Sequence, residues 1–413
     1  MSWHNVDAHG VMPQIQISAD FVNSPTVITR AWTDITADVR SATWTQGGLN
    51  DFLQRPAAGS LSVVLNNSSG NYDPTNISGL YYGHVEREIP LRVQAYWNGN
   101  VYPRWGGYVS SWAPSWPQSG KDSIVTLTGF DLFALLNILD IGGTDIPAND
   151  TGSQAYAVMV AAYGATVANQ YLVYDIGVSQ AIDSGILAAG TTAMSYLGSL
   201  LDTENGRLYI GGEGFLHFEN RTHRMTAAHS ITPQLVLGEN SGEIPYRDAN
   251  LTFNDTNIWN HAIVTTQDGF NSISDNAASQ ARFFQRTISR NILNNNHPEA
   301  LACGGWLTNL YGDPAPKLPP LELLPTSASG WGTPAIPWDA VLGLTNGARV
   351  TFKRRPRYGG TIALDQFVEQ ITETVVPGFY STSLVTLPTQ DQQMWVMGDS
   401  LQGVMNSSTK AGY

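Results

Sequence analysis

The amino-acid sequence predicts a mainly β, multidomain protein with a small α/β segment set between two β-rich stretches. Three observations carry that prediction. Apolar residues make up 42 % of the 413 residues, with no low-complexity half, which is enough for two to four cores of ordinary size. Gly, Asn, Thr, Trp and Tyr are plentiful, the composition of short strands joined by tight turns. Alternation of apolar and polar residues recurs near both ends of the chain, whereas helical segments stand out in residues 141–240.

Residues 1–140 read as a first β-domain. Leu61, Val63 and Leu65 alternate with small polar neighbours, and Ile89, Leu91, Val93, Ala95 and Trp97 alternate over nine residues. The second run ends at Asn98-Gly99, the favoured type I′ hairpin pair, so Val101 and Tyr102 begin a return strand toward Trp105 and Tyr108. A strand at residues 124–128 enters a short helix with Asp131 at its N-cap and Leu132, Leu135, Leu136 and Leu139 on one face. In residues 141–240, Tyr156, Met159, Val160 and Tyr163 mark one helix. Met194, Leu197, Leu200 and Leu201 mark a second, closed by Asn205-Gly206. Strands at 208–210 and 215–218 then flank a Gly-rich turn at 211–214.

Residues 241–413 return to β-character at 251–253, 261–266 and 348–353 and in the closing strands, with a helix starting at Pro298 in position N1. Residues 312–337 carry seven prolines and read as an extended connector. A helical insert and this connector, over about 286–345, make the last β-domain discontinuous. In the closing stretch Phe367, Ile371 and Val375 fit a helical period nearly as well as a strand. The β-branched run at 371–376, stopped by Pro377-Gly378, favours the strand.

Charged residues are only 13 %, about half the usual share, so Ser, Thr, Asn and Gln must cover the surface or it is buried against other subunits. That favours an assembly component. The formal charge of −13 argues against wrapping DNA or binding an anionic membrane through the net field, although DNA could still slide past. Arg outnumbers Lys 17 to 4, which suits interfaces and is equally explained by a GC-rich coding bias. Cys303 stands alone, so no disulfide framework or thiolate cluster is expected, and its setting predicts burial. The N-terminus lacks a basic region followed by an apolar run, and no stretch of about 18 apolar residues occurs; neither a cleaved signal nor a membrane span is expected. Without a secretory route, the Asn-x-Ser/Thr triplets at Asn67, Asn220 and Asn254 read as chance matches.

Chemistry-bearing patterns are scarce. His217, His223 and His229, among eight histidines, are spaced by six, which neither a helix nor one strand face turns into a compact metal site. The 211–214 turn lacks a following Lys-Ser/Thr and precedes a strand, so it is no phosphate cradle. There is no Gly-x-Ser-x-Gly elbow and no Cys-His signature. Glu369 and Glu373, with Asp365 nearby, are expected on one solvated strand face as like charges rather than as an acid and base across a cleft. The basic run at 353–357 could touch nucleic acid; inter-subunit ion pairing or a solvated turn fits it better. Trp105, Trp112 and Trp116 could stack on sugars, but packing in hairpins is the commoner use. No catalytic residue, cofactor site or metal site is therefore expected.

The stretch 366–400 is similar to the closing strands of phage tail hub proteins. It has Val368-Glu369-Gln370-Ile371, the Val376-Pro377-Gly378 turn, Phe379-Tyr380 with a Ser/Thr run, and Trp395 near Gly398-Asp399-Ser400. Earlier segments repeat the likeness: the Pro90-Leu91-Arg92-Val93 strand, the Tyr102-x-Arg104-Trp105-Gly106-Gly107 hairpin, the Gly129-Phe130-Asp131-x-Phe133 helix, and the later unit of helix, Asn205-Gly206 and Gly-turn hairpin. Taken in order, these segments resemble the tail hub, or minor tail protein at the tail tip, of long-tailed, siphovirus-type bacteriophages.

The resemblance implies two tube-like β-barrels, the second discontinuous, plus a small α/β domain, with boundaries near 1–140, 141–240 and 241–413. It further implies a homotrimeric, non-enzymatic virion component, assembled in the host cytoplasm, that adapts a hexameric tail tube or distal tail ring to a trimeric tip. Such a trimer would line the DNA channel. Its partners would be the distal tail protein, the tail tube or tape measure protein, and tip or receptor-binding proteins. No cofactor and no stable membrane insertion are implied. With no fibre or lytic domain after Tyr413, host binding and wall cutting are expected of partners. Two alternatives stand beside this reading: a hexameric distal tail ring protein, and a glycan-binding or glycan-degrading receptor protein of the tail.

Overall fold

Asn98 and Gly99 both take positive φ, 48° and 79°, and turn strand Pro90–Trp97 into strand Asn100–Gln118 with Trp97 opposite Asn100. This is the hairpin the Asn-Gly pair predicts, because its left-handed turn matches the twist of the strands. The computed structural model describes residues 12–48, 53, 55–118, 122–247, 250–253, 258–314, 316–323, 338–389, 394–395 and 410–411. The expected Gly398-Asp399-Ser400 ending and the Asn254 triplet lie outside them.

The first β-region orders its strands Gln14–Ala19, Pro90–Trp97, Asn100–Gln118, Asp122–Phe130, Ser60–Asn66 and Val39–Gln46, all antiparallel. Strand Asn100–Gln118 carries Pro103 at an irregularity: Gln94 pairs Pro103 and Val93 pairs Trp105, which leaves Arg104 as the extra residue of a bulge. Helix Leu132–Leu136 follows with Asp131 as its N-cap, accepting from Phe133 N at 3.0 Å and from Gly59 N at 2.5 Å.

Strand Val39–Gln46 does not end this sheet. Its free edge pairs with strand Ile362–Val376 of the last third, Gln46 opposite Ile371 and Ala42 opposite Val375. The two β-regions thus form one 13-stranded sheet over a shared core that joins Trp44, Val63 and Trp105 to Trp338, Ile371 and Tyr380. Strand Ile362–Val376 turns at Pro377-Gly378 into strand Phe379–Pro388, as the β-branched run predicts. Its other neighbour is strand Arg349–Arg354, which pairs in parallel with strand Leu235–Leu237. The stretch 312–337 departs from the extended connector expected of it. The proline-rich stretch is not an unpacked connector throughout, since strand Leu321–Leu323 pairs with strand Phe379–Pro388 and buries both leucines. Pro319 and Pro320 precede this strand, so no ladder hydrogen bond is lost to them. Residues 324–337 lie outside the described residues.

The middle of the chain forms helices Thr151–Tyr163, Ala165–Tyr171 and Ala193–Glu204 against a sheet of strands Arg207–Ile210, Leu216–Glu219 and Leu172–Tyr174, with its own core. Asp150 and Thr192 cap the first and third helices, and Asn205 at φ 51° ends the third. A further unit, strands His261–Thr265, Asn271–Asp275 and Thr287–Asn291 under helix His297–Leu310, buries Val264, Cys303 and Leu307. Asn296 caps this helix, which starts one residue before Pro298. Among the described residues, no helix is long and apolar enough to cross a membrane.

Candidate functional site

The chemically distinctive places in this chain are buried ion pairs at the junctions between units. The first rests on Glu373, fully buried between the two β-regions. Arg104 Nε donates to Glu373 Oε2 at 2.9 Å and Arg104 Nη2 to Oε1 at 2.9 Å. The Trp44 indole donates to Oε2 at 2.7 Å and the Tyr380 hydroxyl to Oε1 at 2.5 Å. Arg104 Nη1 also donates to the Leu342 carbonyl at 2.5 Å. Burial works against the Arg104 charge, but the Glu373 carboxylate and the Tyr380 hydroxyl beside it raise its pKa overall. Burial first, then the Glu373 charge, drives the Tyr380 hydroxyl well above its ordinary value. Four donors on one carboxylate and a bidentate fork are the conditions under which a buried pair is tolerated.

Four residues along the same strand, Glu369 is buried against Arg224, a residue of the short helix His223–Thr226. Arg224 Nη1 contacts Glu369 Oε1, Nη2 donates to Oε2 at 3.3 Å, and Nε donates to Glu219 Oε2 at 3.2 Å. Its guanidinium carbon lies 5.1 Å from the centroid of the Phe367 ring. The expectation that Glu369 and Glu373 share a solvated face is therefore wrong. Both are buried and each is paired to its own arginine. Glu373 falls in phase with buried Ile371 and Val375, and Glu369 is the extra residue of a bulge between Val368 and Gln370. The phase of Glu373 was readable in the sequence; its arginine, 269 residues away, was not.

The third junction ties the α/β unit to the insert. Buried Glu204 accepts from Thr151 Oγ1 at 2.6 Å, from Ser179 N at 2.9 Å and from Arg221 N at 3.2 Å. Arg221 Nη2 reaches on to Glu299 Oε1 at 3.0 Å. The Gly-rich turn has a packing role too: a Cβ on Gly106 would stand 2.8 Å from Gly214 Cα, so the turn docks backbone to backbone on strand Asn100–Gln118.

Of the other residues singled out in the sequence, His223 and His229 border the second junction, and the rest take no part in these ion-pair networks. Lys353 pairs with Glu243 at 3.5 Å, Arg354 with Glu239 at 2.6 Å and Arg355 with Glu243 at 2.7 Å, so most of the basic run is neutralised within the chain. Arg357 lies over the Tyr358 ring. Asp365 pairs with Arg349 at 2.5 Å. His217 stacks on Tyr209 with centroids 4.7 Å apart, while two short helices bring the His223 and His229 rings to 6.0 Å. Cys303 is buried as expected and accepts from Asn205 Nδ2 at 3.3 Å. Trp105 is buried and Trp112 stacks on Tyr72, which fits packing; Trp116 is exposed. A cavity of about 230 Å³, lined by Arg30, Trp32, Arg92, Tyr108 and Glu213 among others, is smaller than the roughly 300–1,000 Å³ usual for ligand pockets.

No protein-family model matches the chain, and no curated protein matches it in sequence. Solved structures do. The tail protein from Neisseria meningitidis is 13 % identical, with a TM-score of 0.59 over 92 % of this chain and 97 % of that one. The 43 kDa tail protein of prophage MuSo2 from Shewanella oneidensis is 12 % identical, with a TM-score of 0.55 over 92 % and 98 %. At such identities the likeness fixes the fold: the chain has the fold of phage tail proteins over nearly its whole length, as the order of its segments implied.

Proposed function

We propose that this chain is a non-enzymatic structural protein of a phage tail tip, a trimeric hub that adapts the hexameric tail tube or distal tail ring to the trimeric tip and lines the DNA channel. The observation that carries this reading is the coverage: nearly all of this chain corresponds to nearly all of two tail proteins. The edge pairing of Val39–Gln46 with Ile362–Val376 supports it, because it holds the two β-regions side by side in one continuous sheet. In the proposed trimer these regions serve as the two tube-like barrels, the second interrupted by the insert, and three chains supply a pseudo-sixfold ring. The partners are two further copies of this chain, the distal tail protein, the tail tube or tape measure protein, and tip proteins that contact the host. With a net charge of −13, the channel wall is expected to be acidic or neutral, which leaves passing DNA hydrated and mobile.

Labelling the chain in assembled particles tests its place: the label is expected at the end of the tail distal to the head. Turnover of peptidoglycan, esters and phosphodiesters by the purified chain is expected to equal a blank. A rate lost on substitution of one Asp, Glu or His would overturn the non-enzymatic reading.

A further inference from the structure

Glu219, His223 and His229 converge where the α/β unit meets the last β-region, and one ligand atom from each lies within 4.8 Å of the other two. Glu219 ends strand Leu216–Glu219, His223 opens helix His223–Thr226, and His229 lies in helix Ala228–Ile231. The histidines stand six positions apart, and the reversal of the chain between the two short helices closes that gap. His223 Nε2 stands 3.6 Å from Glu219 Oε1, while its Nδ1 is 2.8 Å from Asp175 Oδ2. With Nδ1–H donating to Asp175, Nε2 turns a lone pair toward the cluster, the carboxylate–histidine arrangement that orients metal-ligating imidazoles.

Glu219 is 3 % exposed, and neither its Oε1 nor His229 Nε2 has a hydrogen-bond partner among the described residues. Its other oxygen, Oε2, accepts from Arg224. Three Lewis bases facing one another under partial burial are unfavourable unless a proton or a cation joins them. The local charges agree. Asp175, Glu219 and Glu369 against Arg224 leave an excess of two negative charges, which a divalent ion between neutral imidazoles offsets. Gly347 at φ 80° borders the cluster: a Cβ there would make ordinary contact, at 3.5 Å each, with Arg224 Nε, Glu219 Oε1 and His229 Nε2.

We propose that Glu219, His223 and His229 bind a divalent first-row cation, Zn²⁺ by preference, with Asp175 as the positioning residue of His223. Two imidazoles and one carboxylate suit Zn²⁺, which takes nitrogen at about 2.0–2.1 Å and carboxylate oxygen at about 2.0–2.2 Å and keeps a fourth position for water. The ion would clip the end of strand Leu216–Glu219 to both short helices and so fasten the junction that Arg224 and Glu369 already make. The site does not depend on the tail-tip reading.

Calorimetric titration of the chelator-stripped full chain with Zn²⁺ tests it. One equivalent should bind saturably, and the thermal midpoint should rise with Zn²⁺ concentration. His223→Gln and His229→Gln should each weaken binding at least about tenfold, and Asp175→Asn by roughly 10–100-fold, as outer-shell changes do. His217→Ala should leave it unchanged. Absence of saturable binding, or binding retained in the His223→Gln/His229→Gln double variant, overturns the proposal. If the variants fold poorly, zinc-edge X-ray absorption on the unaltered chain decides. A shell with two imidazole nitrogens at about 2.0–2.1 Å supports the site, and an all-oxygen or single-imidazole shell contradicts it.

Discussion

Both carboxylate oxygens of Glu373 are held by the guanidinium of Arg104, at 2.9 Å each, across 269 residues of sequence and inside the core that the two β-regions share. The pair is a clasp between the first and last thirds of the chain. It acts where strand Val39–Gln46 has already brought the two sheets edge to edge.

Removing both sides of the clasp should cost clearly less than the two single losses added together. Glu373→Gln leaves the Arg104 charge buried without a counter-charge, and a loss of about 3–5 kcal/mol is expected. Arg104→Met should cost a similar amount, and the double variant clearly less than the sum of the two. Denaturant unfolding of the three variants measures the coupling. Additive losses would mean that the pair does not act as a unit.

Much of the fold is legible in local chemistry. Asn98-Gly99, Asp131, Asn205 and Pro377-Gly378 each mark a turn or cap whose geometry depends on the residue itself, and all four appear where the pattern places them. What escapes the pattern is set by distant contacts. Helix Ala165–Tyr171 buries only Ala168 and so shows no apolar stripe. Strand Leu172–Tyr174 is three residues long and exists by parallel pairing to strand Leu216–Glu219. The junction residues were hardest to see, because a buried glutamate and a solvated one look alike until the partner arginine is known. Pro103, a proline inside a strand, was the one local sign that a bulge would redirect Arg104 inward.

Asp131 makes stability depend on pH. Burial pushes its carboxyl up to about 7, against the pull of the Gly59 and Phe133 amides, so the folded chain holds this proton more tightly than the unfolded one. A raised carboxyl pKa contributes stability that is fully present below the unfolded value of 3.8 and is lost as pH rises through about 7. Asp131→Asn should remove that decline, which amounts to a few kcal/mol in order of magnitude. Urea midpoints of both chains at several values between pH 4 and 8 test this. An unchanged pH slope in the variant would contradict it.

The basic run is masked by its own chain. Arg355 holds the Glu243 carboxyl down at about 2, so that partner stays charged at any working pH, and Glu239 covers Arg354. The unaltered chain should show no binding to duplex DNA at about 0.1 M salt, where screening already weakens surface attraction. Neutralising both acids, Glu239→Gln with Glu243→Gln, should expose residues 353–357 and produce weak binding that falls steeply with salt. Fluorescence anisotropy with labelled duplex reads the difference. Tight binding by the unaltered chain would point instead to direct gripping of the DNA.

An electron cryo-microscopy map of the tail tip tests the place and copy number of this chain in a virion most directly. Three copies around the tail axis are expected, with the first and last β-regions of each lying side by side in one ring. Six equivalent copies, or a single copy on the flank of the tail, would contradict the account.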